Sequence, residues 1–356
     1  MKSLPIGATI GILGGGQLGR MLAVAAGRLG YRTHVLCEGA GPAVAMADRH
    51  TDAAFTDRAA VAAFARDCAV VTCEFENVPA ATLDWIADVA PVRPGRRAMA
   101  VAQDRLSEKD FLTGLGLRTA RYRDVAGPRA LRAVLADIGT PAILKTRTLG
   151  YDGRGQSRID APEAAEAALA ALGGAPAILE GVVAFEREVS VVVARNRAGD
   201  VACYDPGENV HRDGILRRTV VPARITPEQD EAARGIAARI VRALDYVGVM
   251  GVELFVCADG LRVNEIAPRV HNSGHWTQAG CAVDQFEQHV RAIADLPLGG
   301  TIRHADVEME NLIGDDVERV PSLLAAPNVQ LHLYGKDMVR PGRKMGHANR
   351  VLPPRR

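Results

Sequence analysis

Short apolar strands and amphipathic helices alternate through the first hundred residues, and this alternation limits the possible folds more than any other feature. The predicted strands cover 9–13, 33–36 and 69–73, and the predicted helices cover 17–29, 58–66 and 79–88. Successive parallel strands need a crossover connection, which is usually a helix. The sequence therefore predicts an α/β fold that begins with a doubly wound parallel sheet.

The pattern changes after residue 100. A helix is predicted over 101–116, and a strand over 141–146 precedes a glycine-rich loop. The remaining predicted elements are a helix over 161–172, a strand over 177–180, antiparallel segments within 188–224, a helix over 226–244, a hairpin of 249–257 with 261–266, a helix over 283–293 and a β-rich end that includes 307–313 and 329–334. At about 100–200 residues per domain, the 356 residues provide for two or three domains.

Charge and cysteine content exclude several classes of protein. The 43 basic and 42 acidic residues leave a net charge of +1, so no basic tail is present to bind a nucleic acid by charge alone. No uncharged apolar run reaches the roughly 18 residues of a membrane helix. The six cysteines form no C-x-x-C pair and are expected to be reduced thiols. The sequence therefore predicts a cytoplasmic protein with neither a nucleic-acid nor a membrane partner.

The segment Gly14–Gly19 follows the first strand, opens a helix and has the order G-x-G-x-x-G. Backbone N–H groups at such a turn attract phosphate. Glu38 lies 19 residues further on, close to the position of a ribose-binding acid in dinucleotide-binding proteins. Phosphate binding, NAD binding and a tight turn that merely needs glycine are therefore the three interpretations.

A second glycine-rich loop, Gly150–Gln156, follows the strand that ends near Lys145. It lacks the order of a P-loop and joins two strands. A strand-end lysine beside a flexible loop suits a lid that closes over a polyphosphate. The alternative is a mobile hairpin tip that carries Asp152 and Arg154 for solubility.

Glu253 and Glu265 lie at equal distances from Asp259, the centre of the predicted hairpin turn. In an unbulged hairpin the two carboxylates face each other, although a bulge at Gly260 would shift this register by one residue. Like charges this close are destabilising unless a cation lies between them, and hard oxygen ligands suit Mg²⁺ beside phosphates. Asn264 could add an amide oxygen. The alternative is two solvated acids on an exposed strand.

Three further polar clusters are candidates for substrate recognition. Arg269–His275 combines an arginine with His271 and His275, whose i, i+4 spacing alone could also suggest a metal pair. Glu74–Asn77 ends a strand at the carboxyl edge of the first sheet, where such sheets bind ligands. Lys336–Lys344 is a basic hairpin that acts either as a phosphate clamp or as a solvated turn. Only five lysines occur in the chain, and two of them lie in this hairpin.

Taken in order, these motifs resemble those of the ATP-grasp enzymes and, among them, closely resemble the N5-carboxyaminoimidazole ribonucleotide synthetase family. The segments that carry the resemblance are Gly14–Gly19, Asp104–Lys109, Lys145, Gly150–Gln156, Glu180, Glu188, Val249–Glu253, Asn264–Glu265, Arg269–Trp276 and Arg340–His347. The resemblance spans nearly the whole chain. It implies an N-terminal α/β domain (1–103), an ATP-grasp domain (104–296) with a lid subdomain (about 104–182), and a small C-terminal domain (297–356).

The resemblance also implies a reaction. ATP phosphorylates bicarbonate to carboxyphosphate, and the exocyclic amine of 5-aminoimidazole ribonucleotide captures the activated CO₂ in a step of purine biosynthesis. ADP and phosphate leave, and no covalent protein nucleophile is needed. The implied cofactors are ATP and Mg²⁺ or Mn²⁺, and the implied assembly is a homodimer.

The resemblance assigns roles to individual residues. The implied ATP contacts are Arg105, Lys145, Gly150, Tyr151, Asp152, Gly153, Arg154, Gly155, Gln156, Glu180, Gly181, Val182, Val183, Glu188, His211, Asn264 and Glu265. The implied ribonucleotide contacts are Gln17, Leu18, Glu74 or Glu76, Tyr151, Arg154, Arg269, His271, Asn272, Ser273, Lys336 and Arg343. The implied metal ligands are Glu253 and Glu265, and the implied catalytic residues are Arg269, His271, Lys145, Tyr151 and Arg154.

Three alternatives predict different properties. Another ATP-grasp ligase, such as a formate-dependent purine enzyme, would share Lys145, the lid and the two glutamates but should lack the Arg269–Trp276 segment. An NAD-dependent oxidoreductase would use Gly14–Gly19 and would leave the glutamate pair unexplained. A non-catalytic binding protein would have no need to keep every charged residue of the proposed site.

Overall fold

The computed structural model describes residues 3–150 and 153–353. Its N-terminal part contains a four-stranded parallel sheet in the order β3-β2-β1-β4. The parallel pairing is as the alternation of strands and helices predicts, but β3 is not among the predicted strands. The elements of this part are β1 (Thr9–Leu13), α1 (Gln17–Arg28), β2 (Arg32–Cys37), β3 (Arg49–Asp52), α2 (Arg58–Arg66), β4 (Val70–Cys73) and α3 (Ala80–Ala87). Ile12 and Leu13, neighbours on β1, belong to different hydrophobic cores because successive strand residues face opposite sides of the sheet.

The single helix predicted over 101–116 is wrong. The structure has two helices here, α4 (Arg96–Gln103) and α5 (Arg105–Gly114), with Asp104 in an extended conformation between them. The Asp104 carboxylate accepts hydrogen bonds from the N–H groups of Leu106 and Ser107 at 2.9 and 3.0 Å. An aspartate that caps a helix in this way favours a new helix start over continuation of the preceding helix.

A separate antiparallel sheet follows, in the order β5-β8-β6-β7. Its strands and helices are β5 (Tyr122–Val125), α6 (Pro128–Ile138), β6 (Ala142–Thr146), β7 (Gln156–Ile159), α7 (Ala165–Ala171) and β8 (Ala177–Gly181). This unit has its own hydrophobic core, which includes Leu131, Leu144 and Leu179. The glycine-rich loop connects β6 to β7, so it joins two strands as predicted.

The largest sheet has nine strands in the order β14-β13-β9-β11-β12-β15-β17-β16, with β10 paired to β9. Its strands are β9 (Arg187–Arg195), β10 (Val201–Cys203), β11 (Gly207–Arg212), β12 (Ile215–Val221), β13 (Gly248–Cys257), β14 (Gly260–Ala267), β15 (Asp306–Ile313), β16 (Val329–Leu333) and β17 (Lys344–Leu352). The accompanying helices are α8 (Pro227–Ala243), α9 (Thr277–Gly280), α10 (Gln285–Ile293) and α11 (Val320–Leu324).

The C-terminal strands do not form a sheet of their own. β15 pairs with β12, with Val307 opposite Val221, so β15, β16 and β17 continue the large sheet. The six cysteines are free thiols. Within the two described ranges, no helix is long and apolar enough to cross a membrane.

Candidate active site

A cleft of about 550 Å³ lies between the carboxyl edge of the N-terminal sheet, the loop after β6 and the β13–β14 hairpin. Most of the residues that the sequence analysis singled out line this cleft. They are Gln17, Leu18, Glu74, Glu76, Arg105, Lys145, Gly150, Gly153, Arg154, Gln156, Glu188, His211, Glu253, Asn264, Glu265, Arg269, His271 and Asn272. Segments that are far apart in the sequence therefore contribute to one cavity.

Glu253 on β13 and Glu265 on β14 lie directly opposite each other, as predicted, but the hairpin reaches this arrangement by another route. The turn is tighter than the one centred on Asp259, because Cys257 pairs with Gly260. If this register continued along the strands, Glu265 would lie opposite Val252, on the other face of the sheet.

A β-bulge restores the alignment. The register shifts between Leu254, which pairs with Val263, and Glu253, which pairs with Glu265. Asn264 is the extra residue on β14, and its amide Nδ2 lies 3.4 Å from Oε2 of Glu253. One inserted residue moves the following side chains to the opposite face, so the bulge places both carboxylates on the cleft side.

The two carboxylates have different electrostatic surroundings. Burial raises the pKa of Glu253, and the negative charge of Glu265 raises it further. Burial also acts to raise the pKa of Glu265, but the positive charges of Arg105 and Lys145 outweigh it and lower that pKa. Arg105 Nη1 lies 3.1 Å from Oε2 of Glu265. The charge of His211 lowers the pKa of Glu253 but does not outweigh burial and Glu265, so a further positive charge at this pair would be favourable.

His271 lies beside this pair as a neutral imidazole. Burial lowers its pKa to about 3, and the charge of Arg269 contributes in the same direction. Its Nε2 lies 3.5 Å from Oε1 of Glu253, and its Nδ1 lies 2.8 Å from Oγ of Ser273. The ring lies against the backbone of β13, since a Cβ at Gly251 would be 2.6 Å from Cγ of His271.

His275 has different partners from His271. Its Nδ1 lies 3.0 Å from Nε2 of Gln285, and its ring stacks on that of His347 at a centroid distance of 4.4 Å. Among the described residues, no group of three or more His, Cys, Asp or Glu side chains could hold a metal ion. The hydrogen bonds of the two histidines go to different side chains, Ser273 for His271 and Gln285 for His275.

The two glutamates after β4 have different partners. Glu76 forms an ion pair with Arg269, with Nη2 3.2 Å from Oε1. Burial acts to raise the pKa of Glu76, but Arg269 lowers it to about 2. Glu74 accepts hydrogen bonds from the N–H groups of Gly16 and Gly19. The N–H groups of the first glycine-rich turn thus bind a carboxyl group of the protein itself.

One further ion pair lies within the lid sheet and another within the large sheet. Lys145 on β6 donates to Glu180 on β8 at 2.8 Å. Burial acts to raise the pKa of Glu180, but the charges of Lys145 and Lys109 outweigh burial and lower this pKa to about 2. His211 Nδ1 lies 2.6 Å from Oε2 of Glu188. Lys145, Glu188 and His211 line the cleft, whereas Glu180 does not.

Several predicted residues lie elsewhere. Gly181, Val182 and Val183 line a separate cavity of about 920 Å³. Glu180, Gly155 and Ser273 do not line the cleft, and Tyr151 and Asp152 lie outside the described residues.

In the basic hairpin, Lys344 lines the cleft, whereas Lys336 and Arg343 do not. Lys336 donates to the carbonyl oxygen of Lys344 at 2.6 Å, and Arg343 donates to that of Met338 at 2.9 Å. The charge of Lys336 nevertheless lowers the pKa of Glu74, although burial is the larger effect and raises it.

Sequence reasoning missed Glu108 and Lys109 as site residues. Both are almost completely buried, with 3% and 1% of their surface exposed, and Glu108 lines the cleft. A signal was present, because Lys109 is one of only five lysines in a chain rich in arginine. The notable feature is a buried lysine where arginine is the common basic residue.

Comparison with known families agrees with this geometry. Residues 110–286 match the family model of the ATP-grasp domain, and residues 7–103 match that of the ribonucleotide synthetase preATP-grasp domain. Residues 308–354 match that of the phosphoribosylaminoimidazole carboxylase C-terminal domain. The protein is therefore an ATP-grasp ligase, and the predicted fold class is confirmed.

Individual relatives narrow this class. The chain is 55% identical to the N5-carboxyaminoimidazole ribonucleotide synthase of Brucella melitensis, with 99% of this chain and 98% of that protein covered. It is 40% identical to an N5-carboxyaminoimidazole ribonucleotide synthetase solved as an ADP complex, with a TM-score of 0.95 and coverage of 99% and 94%. The Aspergillus clavatus enzyme, solved with ADP and 5-aminoimidazole ribonucleotide, is 35% identical, with a TM-score of 0.93 and coverage of 98% and 94%.

The chain belongs to the N5-carboxyaminoimidazole ribonucleotide synthase family, which confirms the predicted family and enzyme class. It is an ATP-dependent enzyme of purine biosynthesis. These matches favour the ligase over the oxidoreductase and non-catalytic alternatives. The domain boundaries after residues 103 and 296 stay predictions.

Proposed function

We propose that the protein phosphorylates bicarbonate with ATP and carboxylates 5-aminoimidazole ribonucleotide through carboxyphosphate, with ADP and phosphate as the other products. The observation that carries this proposal is the shared cleft. It joins the Glu253–Glu265 pair and the cations Arg105 and Lys145 to the polar groups around Arg269. Relatives of similar length that carry the synthase name support the same reaction.

The residues at the hairpin fit a divalent cation, because two opposed carboxylates share one face and the pKa of Glu253 stays raised beside Glu265. We propose that Glu253 and Glu265 hold Mg²⁺ or Mn²⁺, with Asn264 beside them. Two protein ligands leave coordination positions for phosphate oxygens and water, as is usual for Mg²⁺. When bound, the ion would neutralise charge on the transferring phosphoryl group.

The remaining nucleotide contacts are assigned to the lid and to the neighbouring strand ends. We propose that Arg105 and Lys145 bind the phosphates and that the Gly150–Gln156 loop covers them and excludes water, which would otherwise hydrolyse carboxyphosphate. The proposed nucleotide contacts also include Glu180, Gly181, Val182, Val183, Glu188 and His211.

The ribonucleotide is assigned to the opposite end of the cleft. We propose that Arg269 and His271 orient it, with Gln17, Leu18, Glu74, Glu76, Tyr151, Arg154, Asn272, Ser273, Lys336 and Arg343 as further contacts. Because His271 is neutral, it would act as a hydrogen-bonding group and contribute no fixed charge. Positioning of the amine beside activated CO₂ would supply much of the catalysis.

An ADP-release assay tests the proposal. We expect rapid ADP formation only when ATP, bicarbonate, the ribonucleotide and Mg²⁺ are all present, with one ADP per carboxylated product. Omission of the ribonucleotide should reduce the rate strongly. ADP formation that does not depend on bicarbonate would contradict the proposed reaction.

We further propose a homodimer in the cytoplasm, on the basis of the family resemblance alone. Light scattering of the purified chain tests the assembly. A mass near twice the 37.8 kDa of one chain is expected, and a single-chain mass across the micromolar range would contradict it.

A further inference from the structure

Three side chains of helix α5 contact three consecutive residues of β14, around its bulge. Arg105 Nη1 donates to Oε2 of Glu265 at 3.1 Å. Lys109 Nζ donates to the carbonyl oxygen of Asn264, and the N–H of Ile266 donates to Oε1 of Glu108, each at 2.6 Å. The positions 105, 108 and 109 have i, i+3 and i+4 spacing, so they lie on one face of the helix.

These contacts satisfy backbone groups that the sheet itself leaves exposed. β14 is an edge strand of the large sheet, so its outer side has no strand neighbour within that sheet's order. Asn264 has no partner residue on β13, because it is the inserted residue of the bulge. Buried backbone groups require hydrogen-bond partners, and Glu108 and Lys109 supply two of them.

Lys109 also connects the bulge to Glu180 on strand β8 of the lid sheet. Its Nζ lies 3.7 Å from Oε1 of Glu180, whose Oε2 accepts from Lys145. Only 1% of the Lys109 surface is exposed. A compact ammonium can serve a carbonyl oxygen and a carboxylate in this enclosed space, whereas a planar guanidinium has a different shape and donor geometry.

We propose that Glu108 and Lys109 are positioning residues that hold the β14 bulge, so that Glu265 faces Glu253 on the cleft side. The inference rests on the proposed function only where it assigns that carboxylate pair to a divalent cation. Without the bulge, Glu265 would lie on the face of Val252. Neither residue needs to touch the substrate, since both act through the backbone on either side of Glu265.

The first test measures the bulge itself, without metal or nucleotide. Hydrogen exchange of peptides that cover 261–267 reports on the Ile266 N–H. We expect Glu108→Leu and Lys109→Met to raise exchange in this segment at least about 10-fold. Glu108→Gln, which keeps an acceptor oxygen, should stay near the wild-type rate. Leu112→Ala is the matched control. Leu112 lies on the same helix, α5, is fully buried and belongs to a hydrophobic core of the protein.

The second test measures the Mg²⁺ concentration that gives half-maximal ADP formation. Loss of groups that orient metal ligands typically weakens metal affinity about 10- to 100-fold. We expect such a shift in Glu108→Leu and Lys109→Met, and recovery in Glu108→Gln. If Lys109→Met does not fold, the two Glu108 variants still decide the question.

The outcomes separate this inference from the proposed function. Faster exchange together with a higher Mg²⁺ requirement supports the inference that Glu108 and Lys109 hold the bulge. Exchange equal to that of Leu112→Ala overturns it, and so does faster exchange with an unchanged Mg²⁺ requirement. If the wild type forms no bicarbonate-dependent ADP, the proposed function fails, while the exchange result still decides whether Glu108 and Lys109 hold the bulge.

Discussion

At the scale of single residues, the site uses the same side chain for different tasks by changing its neighbours. Glu253 has a raised pKa because it is buried beside another carboxylate, whereas Glu76 has a pKa of about 2 because Arg269 contacts it. Sequence could identify these glutamates as candidates. It could not assign their partners, because Arg269 lies 193 positions from Glu76 in the chain.

Substitution of Glu265 tests the carboxylate pair. We expect Glu265→Gln to fold normally and to lose about 100-fold or more of its turnover, because it removes a charge that positions and neutralises the reacting groups. Asp259→Asn is the control, since Asp259 is an exposed acid at the turn of the same hairpin. Steady-state ADP formation checks both variants, and wild-type turnover in Glu265→Gln would rule out the metal assignment.

The Glu76–Arg269 ion pair predicts a pH dependence of stability. The pKa of Glu76 is lowered to about 2 from an ordinary value near 4.5, so its stabilising contribution is complete above about pH 4.5 and is lost as the pH falls toward 2. Glu76→Gln should therefore lose less stability than the wild type between pH 4.5 and 2.

Urea unfolding at several pH values measures this difference, with Glu318→Gln, at an exposed site, as the control. Parallel pH profiles for the wild type and Glu76→Gln would show that the ion pair does not contribute as described.

At the scale of elements, sequence patterns located many of the strands and helices but missed β3, β5 and α6. They also described the joints between elements poorly. The symmetric spacing of Glu253 and Glu265 predicted the correct pairing, but the structure achieves it with a tighter turn and a bulge. The break at Asp104 was missed because an apolar helical pattern continues on both sides of it. Both errors concern local backbone hydrogen bonds, which hydrophobic periodicity does not report.

The first glycine-rich turn provides a test of the ribonucleotide site. A Cβ at Gly16 would lie 2.7 Å from Oε1 of Glu74, so Gly16→Val must displace that carboxylate. If Glu74 contacts the ribonucleotide, KM for the ribonucleotide should rise more than KM for ATP. Gly27→Ala is the control. Gly27 lies in helix α1, which follows Gly16, and a Cβ at this position meets nothing within 4 Å. Equal changes in both KM values would contradict the assignment.

The basic hairpin provides a second test. A charge-assisted contact to phosphate contributes roughly 1.5–3 kcal/mol, which corresponds to about 10- to 150-fold in binding. We expect Lys336→Met and Arg343→Met to raise the ribonucleotide KM within this range and to leave the ATP KM nearly unchanged. Lys344→Met tests the residue that lines the cleft. If Lys344→Met alone has an effect, the assignment of Lys336 and Arg343 is wrong.

At the scale of the whole molecule, the cleft exists because three sheets meet around it. Alternation of strands and helices predicted the parallel N-terminal sheet, and turn-rich segments predicted the antiparallel strands that follow. The continuation of the large sheet into the C-terminal strands was not predictable, because the pairing of Val221 with Val307 joins residues far apart in sequence. Lys344 reaches the cleft through that long-range pairing, which explains why local sequence patterns did not place it there.

The most direct test of the proposed reaction follows oxygen atoms. If ATP phosphorylates bicarbonate, one oxygen of bicarbonate must end in the phosphate product. We would supply ¹⁸O-labelled bicarbonate with ATP and the ribonucleotide and examine the released phosphate by ³¹P NMR within the first turnovers. We expect one ¹⁸O atom per phosphate, in proportion to carboxylated product. Phosphate without ¹⁸O, formed together with carboxylated product, would contradict a carboxyphosphate intermediate.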